Sequence, residues 1–306
     1  MKKFINLIVA LALTAGLLAG IILCEYFGVP GVSNILSALL GAVILYIPLP
    51  ILDLISGWKF DFVRMRLNFD LRGKDFVRIS FGYAFRVMVD GYYLLVMDKY
   101  GKYQSPGGCY KVSQEEKYFL RRKFHACADQ NAPVSVMEST KDDYRMRVQA
   151  SKLAGFVRRY HRGKGGETYK DTAREFKEEL LDTGILDKAL FKEVEYQYLG
   201  QYQAPINRSP YFGIDELLFT DICEIVPTPE QEEYLRQLMT KNLDNSDNRY
   251  RFVTEEQILH CGLDREKHTQ AFIMENAYKI TDDSFKDLKR CPRKYKTYKM
   301  NFIEEK

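Results

Sequence analysis

"GKGGETYKDTAREFKEELLDTGIL", residues 163–186, decides how the rest of this 306-residue chain is read. Glycines crowd its start. Behind them Ala173, Phe176 and Leu180 recur at the three- and four-residue intervals of a helix over about 170–182. Glu175, Glu178 and Glu179 then project from neighbouring turns of one face, because residues three and four apart are neighbours on a helical surface. Mg²⁺ takes oxygen ligands, usually one or two carboxylates completed by substrate phosphate oxygens, so these three glutamates are candidate metal ligands. Arg174 is placed to brace them by bidentate pairing. A charged face of this composition is also what plain solvated surface looks like, so the helix alone leaves both readings open.

Outward from this stretch the chain alternates between strand and helix patterns. Upstream, AFRVMV (84–89) and YYLLVM (92–97) flank Asp90-Gly91, a dipeptide that favours a two-residue hairpin turn. KYQS (102–105) then leads into Pro106-Gly107-Gly108. The charged, helix-spaced segment 109–160 reads as a helical insertion. Downstream, 194–203 and 215–226 alternate as strands. Thr228-Pro229 opens a helix, and Thr254 with Gln257 forms a capping-box pattern. Strands flanking a central helix, with more helix at the end, predict an α/β or α+β sandwich over 80–306.

In front of that domain, residues 4–23 are an uncharged run about as long as a bilayer's hydrocarbon core requires of a helix. A second apolar run covers 35–52, with Pro30-Gly31 between the two as a turn signal. The pair predicts a two-helix transmembrane hairpin over 1–58, joined to the domain by a linker over 59–79. A cleaved export signal, Lys2-Lys3 ahead of an apolar stretch, is the alternative for the first segment. Lysines and arginines on both sides of the hairpin place both termini in the cytoplasm, which makes an inner-membrane protein the expectation. Trp58 suits the membrane interface, and Pro48 and Pro50 would kink the second helix.

A formal net charge of +4 gives no argument for DNA binding. The basic residues are clustered, however, after the hairpin and in KDLKRCPRKYKTYK (286–299), where attraction to anionic membrane lipid is the expected role. Six cysteines at wide, irregular intervals, without a CxxC pair, read as free thiols. His125, His260 and His268 have no partners at useful spacing.

The order of these elements, from strand hairpin through YQSPGG, a Gly-Glu pair, AREFKEEL and Thr-Gly-Ile to the late RFVTEEQI, resembles the Nudix domain from roughly Tyr83 to Gly262. Gly108 and Glu167 correspond to that family's first glycine and glutamate. Arg174, Glu175, Glu178 and Glu179 correspond to its core, and Gly184-Ile185 to its close. The chain departs from the pattern in three intervals. Fifty-eight residues separate Gly108 from Glu167 where the family has a short spacer, Glu167 stands one residue closer to Arg174, and Leu180 to Thr183 lengthen the helix before Gly184.

A membrane hairpin fused to a split Nudix domain resembles the SMODS-associated Nudix effectors of CBASS antiphage defence. That resemblance implies a domain that binds a cyclic oligonucleotide made by a partner nucleotidyltransferase, a homo-oligomer on activation, and disruption of the inner membrane. A nucleotide pocket needs cations and stacking aromatics. The stretch FVRRYHRGKGGE (156–167) offers Arg158, Arg159, Tyr160, Arg162 and Lys164, with Tyr103 and Gln104 as second-rank candidates. The retained acidic core keeps a second reading open, a membrane-anchored Mg²⁺-dependent hydrolase of nucleoside diphosphate derivatives.

Overall fold

The computed structural model describes residues 2–46, 75–129, 141–163, 165–209, 212–243, 247–264, 269–270 and 272–302. The chain divides into two compact units, Met1–Asn68 and Phe69–Lys306. The first contains α1 (Lys2–Tyr26) and α2 (Pro30–Tyr46). Its turn falls at 27–29, where the Val29 N–H donates to the Cys24 carbonyl at 2.9 Å. Pro30, expected in the turn, is instead the first residue of α2, a position where its missing N–H costs nothing.

The transmembrane expectation is overturned, because among the described residues no helix is long and apolar enough to cross a membrane. α2 is described over 17 residues, Pro30–Tyr46. The two-pass inner-membrane localisation and the orientation argued from charge fall with the hairpin. Pro48, Pro50, Trp58 and most of the segment 59–79 lie outside the described residues.

The second unit opens with β1 (Phe76–Arg86), β2 (Met88–Val89), β3 (Tyr92–Met97), β4 (Tyr103–Gln104) and β5 (Gly107–Cys109). Asp90 and Gly91 take φ of 48° and 81°, and Val89 pairs with Tyr92, so the expected two-residue hairpin forms. Next come α3 (Gln114–Phe124), β6 (Cys127–Ala128), β7 (Arg145–Gln149) and α4 (Leu153–Tyr160). The insertion is therefore not simply helical: β7 pairs antiparallel with β1 from Phe76↔Gln149 to Ser80↔Arg145. Its strand signal is brief, Met146 and Val148 buried in alternation with the less buried Arg145 and Arg147.

The helix of the 163–186 stretch starts at Ala173 rather than near 170, because Thr168 and Asp171 close a hydrogen-bonded turn ahead of it. It runs as α5 (Ala173–Phe176) and widens into a π-turn over Lys177–Leu181. The Asp182 N–H reaches back to the Lys177 carbonyl at 2.8 Å. This wide turn buries both Leu180 and Leu181 and absorbs part of the extra length before Gly184. After it follow β8 (Glu193–Gln203), β9 (Asn207–Arg208), β10 (Asp215–Val226), α6 (Pro229–Leu243), β11 (Tyr250–Val253), α7 (Glu255–Leu259), β12 (Leu263–Asp264), β13 (Thr269–Gln270) and β14 (Thr297–Asn301). Thr254 and Gln257 make the expected capping box at α7, and Thr228 with Gln231 exchange the same reciprocal bonds at α6.

The main sheet has the order β14-β8-β10-β1-β7-β6, with β5 also on β1 and β9 on β10. At its centre β1 and β10 run parallel, with Phe81 opposite Phe219 and Tyr83 opposite Asp221. Side chains alternate along a strand, so Phe81, Tyr83, Phe85, Phe219 and Asp221 share one face. α4 covers it by stacking Tyr160 on Phe81 at 3.6 Å, and α5 by setting Phe176 edge-on to Phe85 at 5.2 Å. Ala84 and Ile222 face the other way, into a core with Tyr93 and Leu95 of β3, Val253 of β11 and Ile258 of α7. The unit is a mixed α/β domain with its central strands buried on both faces.

Candidate functional site: a split acidic box beside a tyrosine-lined pocket

Folding joins what the sequence separates. Glu167 accepts from the Lys111 N–H at 2.8 Å, and Glu179 accepts from the Gly107 N–H at 2.7 Å. The π-turn after α5 is thereby tied to the Pro-Gly-Gly turn, and the Gly-Glu pair to Lys111 just beyond β5. Arg174 sits between them: Nη1 contacts Glu175 at 2.5 Å, and Nη2 donates to the Cys109 carbonyl at 2.9 Å. Its guanidinium also stands 3.6 Å and 3.7 Å from the carboxylates of Glu167 and Glu178.

Burial pushes the Glu179 carboxyl up to about 8; the Gly107 N–H opposes this, while Glu175 and Glu178 add to it. A raised acid favours the folded state most below the unfolded value of about 4.3, and that contribution is lost as pH rises through about 8. Glu179→Gln keeps an oxygen for the Gly107 N–H and removes the buried charge. Thermal melts should show the variant more stable than the parent by on the order of 2 kcal/mol at pH 9 and nearly equal below about pH 4.

Oxygen donors of this kind have the right chemistry for Mg²⁺, but their arrangement does not fit it. Among the described residues no group of three or more His, Cys, Asp or Glu side chains is placed to hold a metal ion. Glu175 is committed to Arg174 and Glu179 to Gly107, while the Glu178 side chain is 55% exposed. A cation entering here would have to displace the Arg174 guanidinium from Glu175.

On the same face, a cavity of about 650 Å³ opens between α4, the loop after it, β8, β10 and the C-terminal tail. Its floor is His161, Gln201 and Asp221. Asp221 accepts from Tyr110 Oη at 2.7 Å, Gln201 Nε2 at 2.8 Å and Tyr198 Oη at 3.4 Å. Complete burial pushes its carboxyl up to about 6, against these three donors and Arg290. Because the Gln201 amide nitrogen serves Asp221, its oxygen receives the His161 Nε2–H at 2.8 Å, which assigns the tautomer. Burial, with Arg290 nearby, pushes the His161 imidazole down to about 4, so it is neutral at physiological pH. The walls are aromatic: Tyr169 stacks on Tyr198 at 4.2 Å and 17°, and Tyr298 meets Tyr169 edge-on at 5.7 Å. Arg290, Arg293, Lys294 and Lys296 line the remaining side.

Of the residues expected to bind nucleotide, Tyr160 lines this cavity. Arg159 is instead paired with Glu116, at 2.9 Å and 2.7 Å, and lies over the Phe119 ring. Arg158 and Arg162 are exposed at the end of α4 and beyond it, and Lys164 lies outside the described residues. Tyr103 and Gln104 belong to β4 in the second sheet, where Tyr103 Oη donates to the Asn248 carbonyl at 3.0 Å. Sequence reasoning passed over Gln201, Asp221, Tyr169 and Tyr198. Asp221 carried a readable signal, an acid inside the apolar run LLFTDIC (217–223), since a buried carboxylate demands partners. The tail cations, expected at a lipid surface, fold onto the pocket.

A parallel pair at the centre of a mixed sheet, a helix bearing Arg-Glu-aromatic-Lys-Glu-Glu and a glycine turn clasped to it together define a Nudix-type domain. The family model of the SMODS-associated NUDIX domain matches residues 76–281, about two thirds of the chain. The chain belongs to that family. Among curated proteins no match is found.

Proposed function

We propose that this chain is a CBASS-associated Nudix effector whose domain works as a nucleotide sensor, taking a cyclic oligonucleotide into the pocket floored by His161, Gln201 and Asp221. Membership in the SMODS-associated family supports the system. The observation that carries the ligand class is the pocket: tyrosine faces for bases beside four cationic side chains for phosphates. Association of copies on ligand binding is the output this reading assigns, through the N-terminal hairpin, whose Leu13, Leu18, Ile22, Ile35 and Leu39 are exposed. Membrane spanning is no part of it.

The retained Arg174, Glu175, Glu178 and Glu179 favour a second reading, an Mg²⁺-dependent hydrolase. The ion pair of Arg174 with Glu175 argues against that reading in this conformation. Calorimetric titration of the full chain with cyclic dinucleotides separates the two. Saturable binding is expected, weakened about tenfold by Tyr169→Ala through loss of a stacking partner worth about 1–3 kcal/mol. Affinity unchanged by Tyr169→Ala, or steady release of a phosphate product that disappears in Glu178→Gln, counts against the sensor.

A further inference from the structure

The tail that closes the pocket lies beyond residue 281, where the family match ends. It is anchored at both ends. The backbones of Gln201 and Lys289 exchange two hydrogen bonds, at 2.7 Å and 2.8 Å, and β14 pairs with β8 from Thr297↔Gln197 to Asn301↔Glu193. The crossing between these anchors is fitted to the sheet. A Cβ on residue 200 would stand 2.9 Å from Cys291 Sγ and 3.1 Å from the Lys289 carbonyl oxygen, so glycine lets the tail lie this close to β8.

Within that span Arg290, Arg293, Lys294 and Lys296 line the cavity, against one carboxylate, Asp221, whose oxygens already accept three hydrogen bonds. A phosphodiester carries a single negative charge, which cannot balance Arg293, Lys294 and Lys296. Gln201 joins floor and strap: its side chain holds His161 and Asp221 while its backbone holds Lys289. Resting on the sensor reading, we propose that the tail is the phosphate-binding wall of the pocket and that its ligand carries two phosphate groups, as a cyclic dinucleotide does. Arg293 and Lys294, both exposed at the rim, hold the phosphates, and Tyr169 and Tyr198 meet a base.

The test is calorimetric titration of the full chain with cyclic dinucleotides containing adenine, guanine or uracil, with the matching nucleoside monophosphates, and with phosphatidylglycerol vesicles. For whichever cyclic dinucleotide binds, the monophosphate should bind at least tenfold more weakly. Arg293→Gln with Lys294→Gln should lower the cyclic ligand's affinity at least tenfold at an unchanged melting temperature, and Arg293→Lys with Lys294→Arg should restore most of it. Equal affinity in parent and Gln variant overturns the tail assignment and leaves the sensor reading standing. Loss of vesicle binding alone overturns it in favour of a lipid surface. Failure of every cyclic dinucleotide to bind the parent chain overturns both.

Discussion

Phe81→Ala should cost about 3–5 kcal/mol of folding stability, the range for emptying a buried aromatic site. In a domain of this size that lowers the melting midpoint by roughly 10 °C. The ring has no solvent exposure. It stacks on Tyr160 at 3.6 Å and on Phe219 at 4.8 Å, and meets Tyr144 edge-on at 5.4 Å. Tyr160 comes from α4, Phe219 from β10 and Tyr144 from just before β7, so none can swing in to fill the void without breaking its own backbone contacts. Tyr160 and the adjacent His161 line the pocket, and loss of their support should weaken the proposed nucleotide binding along with stability. Urea and thermal unfolding measure the first effect. A loss below about 1 kcal/mol would mean that α4 does not rest on β1 as described.

Gly107→Ala should be nearly as severe, at about 3 kcal/mol or more, for a different reason. Gly107 has φ of 145°, outside the range that side-chain-bearing residues adopt. A Cβ there would collide with the Tyr83 carbonyl oxygen and stand 2.9 Å from Ala84 Cα. Both obstacles are backbone of the central strand and cannot step aside. The same residue pairs with Ala84 across β5 and β1 and donates its N–H to Glu179. Substitution therefore strains the sheet and unseats α5 together. A soluble, fully stable Ala variant with unchanged melting behaviour would show that the glycine turn does not hold the helix.

Features set by a few neighbouring residues were legible in the sequence. Asp90-Gly91 fixed its turn locally, Thr254 and Gln257 fixed a helix start, and the spacing of Phe176 and Leu180 identified the buried side of the helix carrying the glutamates. Long-range pairing was not legible. β7 hides in a charged insertion because its partner, β1, lies about seventy residues upstream. Lys294 and Lys296 look like solvated charge until β14 is laid against β8, which brings Thr297 opposite Gln197. The N-terminal runs misled in the opposite direction. An uncharged stretch of the right length satisfies a hydropathy reading, yet among the described residues no helix is long and apolar enough to cross a membrane. The helix start slipped from 170 to 173 because Thr168 and Asp171 spend the intervening residues on a turn.

The acidic box is the part where sequence and structure ask for different things. Its residue types match a metal site, while its geometry turns Arg174 into the counter-ion of Glu175 and Glu179 into an anchor for Gly107. The π-turn at Lys177–Leu181 is where the lengthened helix reconciles the two demands. Such turns are found at sites under functional or packing strain.

The central claim, recognition without metal-dependent cleavage, is tested most directly by titrating the full chain with the cyclic dinucleotides in Mg²⁺ and again in EDTA, then chromatographing the recovered ligand. Saturable binding with the same Kd in both buffers, and ligand recovered intact, is the predicted result. Binding abolished by EDTA, or conversion of the ligand to a phosphate product only when Mg²⁺ is present, would contradict the account and return the acidic box to a catalytic role.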